Sequence, residues 1–135
     1  SLIGGLVTKT FKEPWYSTII RPSFSPPDWI FAPVWSVLYL IMSIAIWRIW
    51  IRYKDKRIIK LYFIHLFFNL SWSIIFFGFH LIGFALIDLI ILLIFILILM
   101  KNYFIRDKSS FILMIPYLLW SSYAMILNFS ILILN

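Results

Sequence analysis

At 135 residues the chain has room for a single domain, 1–135, and 64% of it is hydrophobic against 13% charged. A soluble domain of this size exposes too much surface to hide that apolar content, so the sequence describes an integral membrane protein with lipid as its solvent. The lack of cysteine excludes disulfides, thiol nucleophiles and cysteine-ligated metals, and a net charge of +7 gathered at the ends of apolar runs marks membrane topology and excludes nucleic acid as a partner.

Residues 1–7 are apolar but too few to span, and read as the last turns of a first helix that starts before Ser1. The stretch from Pro14 to Tyr39 follows, holding five of the six prolines and three of the seven tryptophans. Pro14, Pro22, Pro26 and Pro27 fix φ, remove backbone donors and push their predecessors toward extended geometry, so no helix can run from Trp15 to Pro26. This segment reads as a stiff aromatic flap lying over whatever the helices enclose.

A second helix is predicted over residues 28–51, with Asp28 as N-cap and Pro33 tolerated in the first turns. The basic connection after it carries Arg48, Arg52, Lys54, Lys56 and Arg57, relieved only by Asp55. A third helix is predicted over 58–78 and a fourth over 84–100 or a little beyond, joined by a short connection without Lys or Arg and therefore antiparallel. Lys101, Arg106 and Lys108 follow, and a fifth helix is predicted over 109–134, interrupted and bent at Pro116. The expected fold is an all-α integral membrane protein, a five-transmembrane-helix bundle whose first helix is truncated in this sequence. Nine of the twelve Lys and Arg residues lie on one side, which predicts cytoplasmic basic connections and a first loop that faces outside.

Trp47, Trp50 and Tyr53 fit the lipid–water interface. Trp35, Trp72 and Trp120 stand at membrane depth, where an indole N–H wants a partner and the ring faces protein. On the third helix His65, Asn69 and Ser73 follow at i, i+4 and i+8 with Trp72 alongside; on the fifth, Pro116, Trp120, Ala124 and Asn128 share that spacing; on the second, Trp35, Tyr39 and Met42 share a face. Such faces either glue helices together or line an apolar chamber with a few placed polar atoms, and spacing alone leaves both open. Asp88, the lone acid inside a hydrophobic run, must face the bundle and be hydrogen-bonded or protonated. His65 and His80 form no metal set with spaced carboxylates, and no nucleophilic triad, paired carboxylates or phosphate loop is present, so no resident cofactor or catalytic group is expected.

The motifs WYxxxxxPSFxPPxWxFxPVWxxLY, NLSWSxxFF, ALIDL and PYLLWSSYAxxLN resemble, in order, the signatures of the translocator protein family, also called tryptophan-rich sensory proteins or peripheral-type benzodiazepine receptors. The resemblance covers residues 5–128. It implies a five-helix bundle that binds porphyrins, sterols and benzodiazepine-type drugs beneath the first loop, with a tetrapyrrole as ligand and a homodimer by analogy. The implied ligand-binding positions are Trp15, Tyr16, Pro26, Phe31 and Trp35, then His65, Asn69, Trp72 and Ser73, then Phe84 and Asp88, then Trp120, Ala124 and Leu127. Trp35 and Trp120 match tryptophans tied to porphyrin degradation in bacterial relatives, an enzyme-like alternative to pure binding. Proton-coupled export of lipophilic compounds is a further alternative. The chain departs from the family pattern at His65, where glutamine is usual, and at Phe84, where mammalian relatives carry tryptophan. Phe129 and Ile133 replace the tyrosine and arginine of the animal sterol motif, and Lys60 and Ile64 replace a small-residue dimer seam.

Overall fold

The structure is a computed structural model, and it describes residues 19–26 and 30–135. The expected truncated first helix, the Asp28 cap and the flap residues Trp15 and Tyr16 lie outside the described residues. Four helices are long and apolar enough to cross a membrane. They are α1 (Phe31–Tyr53), α2 (Lys56–Ser73, continued by a π-helical turn, Ile74–Gly78), α3 (Ile82–Arg106) and α4 (Lys108–Leu134). They correspond to the predicted second to fifth helices. At about 1.5 Å per residue, the 23 residues of α1 reach about 34 Å, enough for the hydrocarbon core.

The helix ends have local causes. Lys54 closes α1 in the left-handed region (φ 48°), with its N–H donating to Trp50 O at 2.9 Å. Asp55 follows at once as the N-cap of α2, its carboxylate accepting from the Arg57 N–H at 2.9 Å. A two-residue reversal results. Sequence reading had given Asp55 only the role of relieving charge.

Asp107 alone joins α3 to α4, in extended geometry (φ −150°). Its carboxylate accepts from Arg48 Nε at 2.9 Å, and Ser110 Oγ lies 3.0 Å from it and 2.9 Å from Ala45 O, sharing one proton between two acceptors. One acid thereby ties α1, α3 and α4 together. The Arg48 guanidinium beside it holds the Asp107 carboxyl below its ordinary value of 3.8.

Most ends lie within two or three residues of expectation, and two departures are larger. The predicted fourth helix is longer, running on through the polar residues to Arg106, because Asp107 and not Lys101 breaks it. Pro116 does not interrupt α4: the helix is continuous from Lys108 to Leu134, with Pro116 on an exposed position. The proline removes one intrahelical hydrogen bond, which the rest of the long helix absorbs without a break.

Helix α3 packs against α4 on one side and α2 on the other, and α1 packs against α4. Direct approach of α1 to α2 is slight. Side chains of Trp35, Tyr39, Asn69 and Trp72 bridge that gap, and the candidate site is built there.

Candidate functional site

The upper half of the gap, toward the flap, is aromatic. Phe31 and Trp35 contribute from α1; Trp72, Phe76 and Phe77 from α2 and its π turn; Trp120, Tyr123, Ala124, Leu127 and Asn128 from α4. Adjacent Phe76 and Phe77 are both buried, an arrangement that accompanies the extra residue of the π turn. Trp72 stacks on Phe76 (5.3 Å, 22°) and lies 6.5 Å from Trp35; Phe31 meets Trp120 edge-on at 6.2 Å. The rings leave a free space of only about 10 Å³, room for roughly one water molecule. The space is narrow, so a planar ligand must displace rings to enter.

The chamber's polar atoms are few. Trp72 Nε1 donates to Asn128 Oδ1 at 3.0 Å, and Asn128 Nδ2 donates to Ile82 O at 3.1 Å, joining α2, α4 and the start of α3. The buried Trp120 Nε1 has no partner. That indole is a buried, available donor on the wall.

A hydrogen-bonded layer lies beneath, and its proton directions can be assigned. Tyr62 O is an acceptor, so His65 Nδ1, 3.1 Å away, carries the proton and donates to it. His65 Nε2 is then an acceptor and takes the Tyr117 hydroxyl proton at 2.6 Å. The Tyr117 oxygen accepts from Asn69 Nδ2 at 2.8 Å, and Asn69 Oδ1 accepts from the Tyr39 hydroxyl. Every member of this Tyr39–Asn69–Tyr117–His65–Tyr62 chain has a partner, and three helices are joined by it. His65, Asn69 and Tyr117 are essentially inaccessible to solvent.

The flap reaches α4 twice. The Tyr123 hydroxyl donates to Phe24 O, and the Asn135 amide brackets the Ile20 backbone, accepting from its N–H at 3.0 Å and donating to its carbonyl at 2.7 Å. Tyr123 is thus both chamber wall and flap latch.

The expected site residues therefore separate. Phe31, Trp35, Trp72, Trp120, Ala124 and Leu127 meet at the chamber. His65 and Asn69 do not line it; both side chains are fully engaged between helices in the layer below. Ser73 is buried one residue from Trp72, and Pro26 is half-buried in the flap. Phe84 is 64% exposed, because the helical turn that buries Ala85 and Asp88 directs its neighbour outward. Asp88 is buried, its Oδ2 without a partner. Asp88 does not line the chamber. Trp15 and Tyr16 lie outside the described residues.

The expected face of α4 holds at Ala124 and Asn128 and is off by one residue at Pro116 and Trp120. Its buried stripe is Tyr117, Ser121, Ala124 and Asn128, with Trp120 at the edge and Pro116 outward. Tyr117, the hub of the polar layer, was overlooked, as were Tyr123, Phe76 and Phe77. The spacing i, i+4, i+7, i+11 through Tyr117, Ser121, Ala124 and Asn128 was the signal for it.

The TspO/MBR family profile matches residues 1–134. The chain belongs to the TspO/MBR family. It is 38% identical over 125 residues to the tryptophan-rich protein TspO of Chlorobaculum tepidum, covering 90% of this chain and 79% of that protein. It is 34% identical to the protein of the same name from Archaeoglobus fulgidus, covering 98% and 87%. The human translocator protein is 30% identical over 122 residues, covering 87% and 72%. Within this TspO/MBR chain, the motif residues of α1, α2 and α4 supply the chamber and the layer beneath it.

Proposed function

We propose that this TspO/MBR protein is a membrane receptor or translocator for hydrophobic planar ligands, tetrapyrroles foremost, held in the chamber between α1, α2 and α4 under the flap. The observation that carries the reading is a ring-lined space whose wall, among the described residues, holds a buried, unpartnered donor, Trp120 Nε1. Flat aromatic walls suit a flat ligand, and an acceptor on it would satisfy an N–H that otherwise costs about 1–3 kcal/mol. Trp35 and Trp120 supply stacking surfaces. The chamber's small free volume makes binding an opening event in which rings rotate and the flap lifts. The excess of Lys and Arg at the α1–α2 and α3–α4 connections supports an orientation with the basic end in the cytoplasm and the flap outside.

Quenching of tryptophan fluorescence by protoporphyrin tests this. Trp35→Ala and Trp120→Ala weaken binding at least tenfold, whereas Trp47→Ala, an exposed position, leaves it intact. Equal affinity in all three variants rejects the chamber. The partnerless Asp88 oxygen favours a second reading, proton-coupled export. Asp88→Asn in liposomes then abolishes the pH dependence of ligand efflux, and wild-type pH dependence in that variant rules export out.

A further inference from the structure

The end of the bundle opposite the flap carries a concentration of charge that ligand binding does not use. Its two acids are both consumed internally: Asp107 by Arg48 at 2.9 Å, and Asp55 by Arg106 at 3.2 Å. The Tyr53 hydroxyl also donates to Arg106 O at 2.8 Å. These contacts lash the α1–α2 connection to the α3–α4 connection. The remaining cations project from a braced platform. Arg52, Lys54, Lys56, Arg57 and Lys60 are exposed on the first connection and its flanks, and Lys101 and Lys108 on the second. No acid among the described residues of this end is left to neutralise them.

We propose that this platform is a docking surface for the headgroups of anionic phospholipids. Depth favours lipid over a soluble polyanion. Lys60 lies a full turn inside α2, and Lys101 more than a turn before the end of α3. At the same end of the bundle Trp47, Trp50 and Tyr53 are exposed, the ring types that settle at the level of headgroups and carbonyls, and Phe104 extends that belt on α3. Lysine stems lie along that apolar belt and carry their ammonium groups out to phosphate level. Cations at two depths, at the end of the bundle that carries exposed interfacial rings, match phosphates anchored to acyl chains. Lys108, 5.8 Å from the Phe104 ring centroid, shows cation and belt in contact.

The test is lipid retention in nanodiscs of phosphatidylcholine with a minority of phosphatidylglycerol, read by native mass spectrometry of the released protein. Wild type retains phosphatidylglycerol in preference to phosphatidylcholine. Each cation near an anionic surface contributes roughly fivefold, so Arg52→Gln/Lys56→Gln/Arg57→Gln lowers the affinity of retention on the order of a hundredfold. Lys101→Gln/Lys108→Gln, which leaves the α1–α2 reversal untouched, lowers it roughly twenty-fivefold. Arg21→Gln, at the flap end, leaves it unchanged. Equal retention of the two lipids by wild type overturns the proposal, as does undiminished phosphatidylglycerol retention in the Lys101/Lys108 variant. Displacement of the lipid by equimolar tripolyphosphate would assign the platform to soluble polyanions and would also overturn it.

Discussion

Tyr117→Phe deletes one oxygen from the middle of the protein and changes almost nothing in volume. The oxygen accepts from Asn69 Nδ2 and donates to His65 Nε2, so its removal leaves two buried groups without partners. By general mutational experience each orphaned group costs about 1–3 kcal/mol. Within membranes the unfolded chain finds substitute partners, and interhelical hydrogen bonds average only about 0.6 kcal/mol, with a maximum near 1.7. Two such bonds place the expected loss at about 1–3 kcal/mol. Tyr39→Phe orphans Asn69 Oδ1 alone and should cost about half as much. Reversible unfolding in mixed micelles, followed by circular dichroism, measures both. If Tyr117→Phe unfolds within about 0.5 kcal/mol of wild type, the ordinary spread of neutral surface changes, the polar layer does not hold α2 to α4.

Further expectations follow from individual contacts. Asp107 has a depressed carboxyl pKa when folded, so its contribution to stability is fully present above the ordinary value of 3.8 and is lost as pH falls through the folded value. Asp107→Asn is therefore less stable than wild type at pH 7, and the gap closes below about pH 3.8 in acid-unfolding curves; a gap constant with pH contradicts the Arg48 pairing. Tyr123→Phe frees Phe24 O and loosens the flap, raising both association and dissociation rates of porphyrin several-fold in stopped-flow quenching. Unchanged rates would mean that the flap is not the gate. Phe84→Ala, on an exposed face, leaves porphyrin affinity within twofold of wild type, and a tenfold loss would place that ring inside the site after all.

The four membrane helices were legible because each is a long apolar run bounded by charge, a signal that survives any uncertainty in packing. Their ends were less so. Asp55 and Asp107 act as cap and tether through geometry that composition does not reveal, and Arg106 falls within α3 only because Asp107 adopts extended backbone. The aromatic chamber followed from motif and spacing at Trp35, Trp72, Trp120 and Ala124. Spacing could not separate its two readings of the polar faces. His65 and Asn69 share a stripe with Trp72, yet hydrogen bonding to Tyr117 assigns them to the glue between helices and leaves Trp72 to the chamber. In a strongly apolar α4, the hydrophobic pattern is nearly uniform around the helix, and the expected stripe holds at Ala124 and Asn128 but sits one residue early at Pro116 and Trp120, where Tyr117 and Ser121 are buried.

Ala124 is the small wall of the chamber, buried and facing a space of about 10 Å³. Filling it with a larger side chain leaves no room for a ligand while keeping both stacking tryptophans. Protoporphyrin titration of Ala124→Phe, with wild-type circular dichroism as the check on folding, should show affinity lowered by a factor of ten or more. Wild-type affinity in that folded variant would mean that the ligand binds somewhere other than between α1, α2 and α4.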